Sequence, residues 1–443
     1  MKKNFNSKTN VNDELLSFID NSPNCFFAVK NLSNLLEENN FNRLYENEHW
    51  NLKKGCNYYI TRNDSSLIAF KVPSDDFIGF QIIASHSDSP ALKIKPNAEI
   101  VIENQYTKLN VEKYGGMVLA PWFDRPLSVA GRVVIDDENT LISKLINIDE
   151  DLLIIPNLAI HMNRQINEGY TFNVQKDLLP LLGDSGAYNS FMDLIAKQAG
   201  TTKDKIISTD LFLYVRTKGT YIGIDKKYLA SARLDDLQCA FASIKGLIQA
   251  TPGKSIALSC IYDNEEVGST SKQGAASTFL KDIIKRINLS FNKNEEDYFT
   301  EIASSFMVSA DNAHGVHPNH TDKSDPVNRP YLNGGIVIKY SANQKYTTDA
   351  VSSAIFKKIC EKVDVPYQTF VNRSDMLGGS TLGNISTSQV AIDTVDIGLP
   401  MLAMHSSYET AGSKDTEYLI KAATCLYSSH IQSEKGMKSI VFK

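Results

Sequence analysis

FIGFQIIASHSDSP, residues 77–90, decides the fold. A run of apolar residues, continuous rather than alternating, stops abruptly in a polar cluster. Continuous apolar runs belong to strands buried on both faces, as in sheets covered by helices on either side. The same shape recurs in SIALSCIYDNEEVGS (255–269), SFMVSADNAHG (305–315) and LPMLAMHSSYE (399–409). Each time a short apolar strand delivers carboxylates or a histidine at its end. In open α/β sheets that carboxyl edge is where ligands bind. The four segments are expected to meet along one edge of one sheet.

Outward from these strands, LDDLQCAFASIKGLIQA (234–250), STFLKDIIKRI (277–287) and DAVSSAIFKKICEKV (349–363) read as helices. DELLSFID (13–20), capped by Asp13, and LSNLLEENNF (32–41) predict two more near the start. NYYITRNDSSLIAFKV (57–72) reads as two strands around an N-D-S-S turn. The pattern predicts an α/β fold, a mainly parallel central sheet flanked by helices. Residues 95–225 differ. Stretches such as IVIENQYTKLNVEKY (100–114), AGRVVIDDENTLISKLI (130–146) and DLFLYVRTKGTYIGI (210–224) are rich in Val, Ile, Thr and Tyr. They predict a β-rich domain inserted into a discontinuous one formed by 1–94 and 226–443.

Composition excludes several classes. With 443 residues, 42% hydrophobic and 22% charged, the chain has ordinary globular usage, so disorder is not the expectation. A net charge of -5 lacks the basic surplus of a nucleic-acid protein. The 6 cysteines are scattered with no C-x-x-C pair, which excludes zinc-ribbon and thioredoxin-like sites and suits free thiols in a reducing compartment. The opening MKKNFNSKTNVNDELLSFID has no apolar signal core, and no stretch reaches the roughly 20 apolar residues of a membrane span. A cytoplasmic protein without membrane or nucleic-acid partners is expected.

The chemistry sits at the strand ends. His86 and Asp88 lie two apart on an extended segment and share a face. A metal-bound histidine needs its other ring nitrogen fixed, and H-x-D offers a carboxylate for that. Glu265 and Glu266 end an apolar strand side by side. One can bind metal while the other takes a proton from water activated by it. Asp235 and Asp311 add hard oxygen ligands, and His405 a nitrogen. Carboxylates mixed with histidines and no thiolate suit Zn²⁺, Mn²⁺ or Co²⁺. His314, His317 and His320 form H-x-x-H-x-x-H, but Gly315 and Pro318 prevent a regular helix from aligning them. His317 is retained as a pocket-lining candidate. His49 and His430 read as surface residues.

These residues resemble the aspartyl aminopeptidase (M18) family of co-catalytic metallopeptidases, in its bacterial form. The matching segments are ASHSDSPALKIKP (84–96), APWFDRPLSVAGRV (120–133), AIHMNRQINEG (159–169), SARLDDLQCAFASI (231–244), DNEEVGS (263–269), SADNAHGVHPNH (309–320), NRSDMLGGSTLGNI (372–385) and LAMHSSYE (402–409). The resemblance implies two divalent ions, Zn²⁺ with Mn²⁺ or Co²⁺ as alternatives. His86, Asp235 and Asp311 would hold one, and Glu266, His405 and a shared Asp235 the other. Glu265 would be general base, deprotonating the water shared between the metals to hydroxide and later protonating the leaving amine, and Asp88 would orient His86. The peptide bond Asp235–Asp236 would be cis. The substrate would be a peptide with a free N-terminus, preferably Asp or Glu, with Lys339 facing the acidic side chain. The inserted domain would make dimer contacts, and dimers would build a tetrahedral dodecamer in which His161 reaches a neighbour's active site. The glycine-rich DMLGGSTLG (375–383) departs from the eukaryotic form of its loop, which leaves open an aminopeptidase preferring neutral residues such as Leu. A related metallo-carboxypeptidase or deacylase is the other alternative.

Overall fold

A computed structural model of the protein describes residues 10–435 and 437–443. Part of the signal-peptide reading falls on residues 1–9, outside the described residues. Among the described residues, no helix is long and apolar enough to cross a membrane.

The apolar runs form the middle of a nine-stranded sheet. Its strand order is Phe41–Arg43, Asn57–Arg62, Ser66–Lys71, Ile256–Tyr262, Phe80–His86, Phe306–Ala310, Asp393–Gly398, Ile336–Lys339 and Tyr367–Phe370. The four strands from Ile256–Tyr262 to Asp393–Gly398 run parallel to one another. Every residue of Phe80–His86, Ile256–Tyr262 and Phe306–Ala310 is buried. Alternate side chains feed two separate cores. Phe306, Val308 and Ala310 join the one made with helices Val11–Asp20, Cys25–Glu38, Leu234–Gln249 and Asp415–Ser428, while Met307 joins the one made with helix Phe279–Ser290. Each fully buried aliphatic side chain contributes on the order of 2 kcal/mol, so both faces of these strands are committed to packing. Only their ends are free for chemistry.

Four expectations need correction. Pro400–Leu402 is not in the main sheet. It belongs to a second, five-stranded sheet with Thr220–Ile222, Tyr228–Ser231, Glu409–Gly412 and Ala313–His314. The place beside Phe306–Ala310 is taken by Asp393–Gly398, whose mixed polar and apolar letters hid it. At Gly398 a Cβ would lie 2.1 Å from the Asp311 carbonyl, and Pro400 opens the next strand, where its missing N–H is tolerated. The first helix starts at Val11, not Asp13: the Asn10 side chain accepts the Asn12 N–H and caps it. The second starts at Cys25, where the Asn24 side chain accepts from Phe26 and Phe27. His430 is buried on the strand His430–Glu434 rather than at the surface, and burial lowers its pKa. His49 is exposed.

By internal packing the described chain forms two compact units. The first comprises the chain up to Asp88, Gly219–Met404 and Glu409–Lys443; the second comprises Ser89–Lys218 with His405–Tyr408. The expected boundary at 94/95 would cut through the strand Ala91–Ile102. The second unit is a six-stranded antiparallel sheet, ordered Thr140–Asn147, Leu127–Asp137, Ile206–Val215, Ala91–Ile102, Tyr106–Tyr114 and Leu181–Asp184, with its own core. Its hairpin from Asp137 to Thr140 turns on Glu138 and Asn139, both at positive φ, the backbone that matches strand twist in two-residue turns.

Candidate metal centre

His86 ends its strand buried at 1% exposure. Its backbone N–H donates to Asp236 Oδ2 at 3.1 Å. Its ring Nδ1 lies 3.0 Å from the Asp88 carbonyl oxygen and 3.4 Å from Asp88 Oδ1. With Nδ1 fixed in this way, Nε2 faces Asp235 Oδ1 at 3.7 Å and Asp311 Oδ1 at 4.0 Å. The orienting atom nearest the ring is thus the main-chain oxygen of Asp88. The Asp88 carboxylate has a second task that the motif did not reveal. It accepts the backbone N–H of Glu265 at 3.1 Å on one oxygen and that of Glu266 at 3.2 Å on the other.

Glu265–Val267 is a single tight turn between Asn264 and Gly268, both left-handed. The Asn264 side chain accepts from Ser271 Oγ and Gln273 Nε2. The pair of glutamates is therefore held by backbone and by Asp88. Asp235 follows the strand Tyr228–Ser231 of the five-stranded sheet. The Asp235–Asp236 peptide bond is cis. The Asp235 N–H donates to Glu409 Oε2 at 3.1 Å, and regular helical backbone begins only after Asp236. Asp311 follows Phe306–Ala310, with its N–H on the Ile397 carbonyl.

Ligand-capable atoms of His86, Asp235 and Asp311 lie within 4.8 Å of one another, as do those of His86, Glu265 and Glu266. His86 thus belongs to both groups. The electrostatics show what the cluster wants. Burial, with repulsion from Asp311, Glu266 and Asp88, pushes the Glu265 carboxyl up to about 8, against the pull of His86. Burial, with Asp235 and Asp396 adding to it, pushes Asp311 up to about 6, although Lys339 and His86 oppose the shift. Asp236 is raised well above the usual range, by burial first. Several acids share one dry site with few cations, and a divalent ion among them would reverse that penalty. Nitrogen and carboxylate donors without thiolate fit Zn²⁺, Mn²⁺ or Co²⁺.

Lys339 ends its strand at 3% exposure. Its ammonium donates to the Asn312 carbonyl at 2.8 Å and lies 3.9 Å from Asp311 Oδ2. Burial alone would lower its pKa, but Asp311, Tyr346 and Asp396 outweigh this and hold it raised. His405 follows Pro400–Leu402 with φ 64°, and its carbonyl accepts the Val118 N–H within the β-rich unit. His161 is exposed on a turn of that unit. His317 is half-buried, with its ring 5.0 Å from that of His320. Among the described residues, the metal-capable groups contain none of His314, His317 and His320. Residue reasoning gave no role to Asp236 and Glu409, although both stand inside quoted segments. Acidic letters beside stronger motif letters were the only signal.

The sequence pattern of the aminopeptidase I zinc metalloprotease (M18) family matches residues 18–427. A probable M18 family aminopeptidase 2 from Clostridium acetobutylicum is 48% identical over 424 residues, 94% of this chain and 98% of its own. The solved chain of an Ape4 and Nbr1 complex superposes with a TM-score of 0.90 at 36% identity, over 93% of this chain and 84% of that one. The S. cerevisiae mApe1 dodecamer gives 0.82 at 28% identity, over 93% and 95%. A matching fold, a matching pattern along nearly the whole chain and a metal-capable acidic cluster agree: the chain belongs to the M18 zinc metalloprotease family and is a metal-dependent aminopeptidase.

Proposed function

We propose that the enzyme uses two divalent ions to release the N-terminal residue of peptides, preferably Asp or Glu, with Glu265 as general base. The observation carrying this reading is the position of His86, whose Nε2 faces Asp235 and Asp311 while its ligand atoms also fall within reach of Glu265 and Glu266. His86, Asp235 and Asp311 hold one ion; Glu266, His405 and a shared Asp235 hold the other. Zn²⁺ is the ion the family description favours, with Mn²⁺ or Co²⁺ as alternatives. Divalent ions bound there supply Lewis acidity toward the scissile carbonyl and lower the pKa of water. Glu265 takes the proton from the attacking water and gives it to the departing amine. Asp88 holds both the His86 ring and the Glu265–Glu266 backbone, so base and ligands keep one geometry. The substrate's free α-amine anchors at the same cluster, which restricts cleavage to the first residue.

Residues 95–225 serve as the dimer-forming domain of a homo-oligomer. A tetrahedral dodecamer built from dimers is the assembly we favour; the S. cerevisiae relative is a dodecamer. Exposed His161 then completes a neighbour's site, and His317 lines the pocket. Location in the cytoplasm suits the six free cysteines. One observation favours a second reading of specificity. Lys339 already faces Asp311 and the Asn312 carbonyl, so its charge is partly engaged, as in an enzyme preferring neutral residues such as Leu. Metal analysis tests the first proposal. The purified enzyme should carry two ions per chain and should lose its activity when the peptide amine is acetylated; one ion per chain would overturn the dinuclear reading. Rates on Asp- and Leu-aminoacyl reporters decide between the two specificities.

A further inference from the structure

Asp396 is a fully buried carboxylate that the proposed metal chemistry does not use. It lies on Asp393–Gly398, between the strand Phe306–Ala310 that leads into Asp311 and the strand Ile336–Lys339 that ends on Lys339. That strand pairs antiparallel with Ile336–Lys339, Val337 opposite Gly398 and Ile338 opposite Ile397. Continuing the register places Lys339 across from Asp396, and directly opposite residues share a face.

Three donors converge on this carboxylate. Thr347 gives both its N–H and its hydroxyl to Oδ2, each at 2.6 Å. Thr381 gives its hydroxyl to Oδ1 at 2.6 Å. A fourth contact comes through the backbone: the Asp396 N–H donates to Thr348 Oγ1 at 2.9 Å. Thr347 adjoins Tyr346, whose ring lies 5.5 Å from the Lys339 ammonium. Thr381 lies within the glycine-rich segment 375–383 and directly precedes the helix Leu382–Gln389, with its hydroxyl spent on Asp396 rather than on a helix cap. Gly383 follows closely, since a Cβ there would lie 2.6 Å from Asp396 Oδ1. One carboxylate therefore ties two loops, 341–349 and 375–383, to the strand facing Lys339. Charge-assisted hydrogen bonds in a dry setting are the strong ones, and losing one partner leaves the others unmatched.

We propose that Asp396 is a positioning residue for specificity: it fixes the Tyr346 wall and the glycine-rich loop around Lys339, so that the ammonium faces the side chain of the substrate's first residue. The inference rests on Lys339 recognising acidic side chains. Asp396 touches no substrate and acts through Thr347, Thr381 and the charge it presents across the register.

The test is the ratio of kcat/KM on Asp- and Leu-aminoacyl reporters, with metal content and melting temperature measured on each variant. Asp396→Asn keeps the shape but cannot accept from all three donors. It should lower the Asp-over-Leu ratio by about tenfold or more, through KM for the Asp reporter, while metal stays bound. Thr381→Val removes one donor, keeps the fold's charges and should give a smaller fall in the same direction; it carries the test if Asp396→Asn does not fold. An unchanged ratio in both, or equal losses on the two reporters, overturns the proposal. Lys339→Met separates the two levels. If it leaves the ratio unchanged, the acidic-specificity reading fails and this proposal with it. If it collapses the ratio while the Asp396 and Thr381 variants do not, only the positioning role fails.

Discussion

Asp88 shows how much one side chain can hold. Its main-chain oxygen sets the His86 ring, and its two carboxylate oxygens take the N–H groups of Glu265 and Glu266. Asp88→Asn retains one acceptor and turns the other into a donor against an N–H. Groups behind metal ligands are commonly worth 10–100-fold in affinity or activity, and kcat should fall by about that factor. Kinetics alongside metal titration check it: a rate within twofold of wild type would mean that Asp88 does not set the site. The sequence exposed these residues unevenly. His86, Glu265, Glu266 and Asp311 were legible because each ends an apolar run. Asp396 was not, because Asp393–Gly398 alternates polar and apolar letters and its buried acid looks like a surface one.

The helix Asp415–Ser428 carries a titratable clamp at its first residue. Asp415 Oδ2 accepts from the Asn333 N–H at 2.7 Å and Oδ1 from the Gly335 N–H at 3.2 Å, tying the helix to the turn before Ile336–Lys339. Burial pushes this carboxyl from 3.8 up to about 7, more than the two N–H groups pull it down. A folded pKa above the unfolded one means the folded state binds the extra proton. The associated stability is present below about pH 4 and is lost as pH rises toward about 7. The difference in urea midpoint between wild type and Asp415→Asn should change sign-consistently across that window, wild type losing ground to the variant as pH rises. A difference that stays flat between pH 4 and 8 would contradict the clamp's titration. Element reading succeeded where period and length agreed, as for Leu234–Gln249 and Ala350–Lys362. It failed at caps and at the sheet switch after Gly398, since side-chain capping by Asn10 and Asn24 and the close approach to Asp311 are three-dimensional facts.

At the scale of the whole molecule, an active site completed by a neighbour would make oligomerisation part of catalysis. His161 is exposed in the β-rich unit, with Leu158, Ile160 and Met162 also exposed around it. Mixing His161→Ala subunits with Glu265→Gln subunits, each inactive alone, should recover about a quarter of wild-type activity, because statistical pairing gives half heterodimers with one complete site each. No recovery after subunit exchange would place His161 outside the reaction. The division into an α/β body and a β-rich unit was readable from composition alone, but not where one gives way to the other, because Ala91–Ile102 runs unbroken through the expected boundary. In the proposed reaction Glu265 moves the proton while its neighbours hold the ions. Glu265→Gln keeps the size of the side chain and removes its basicity. Its kcat should fall by about 10²–10⁴ with two ions still bound per chain; a variant that turns over at the wild-type rate with its metals in place would contradict Glu265 as the base.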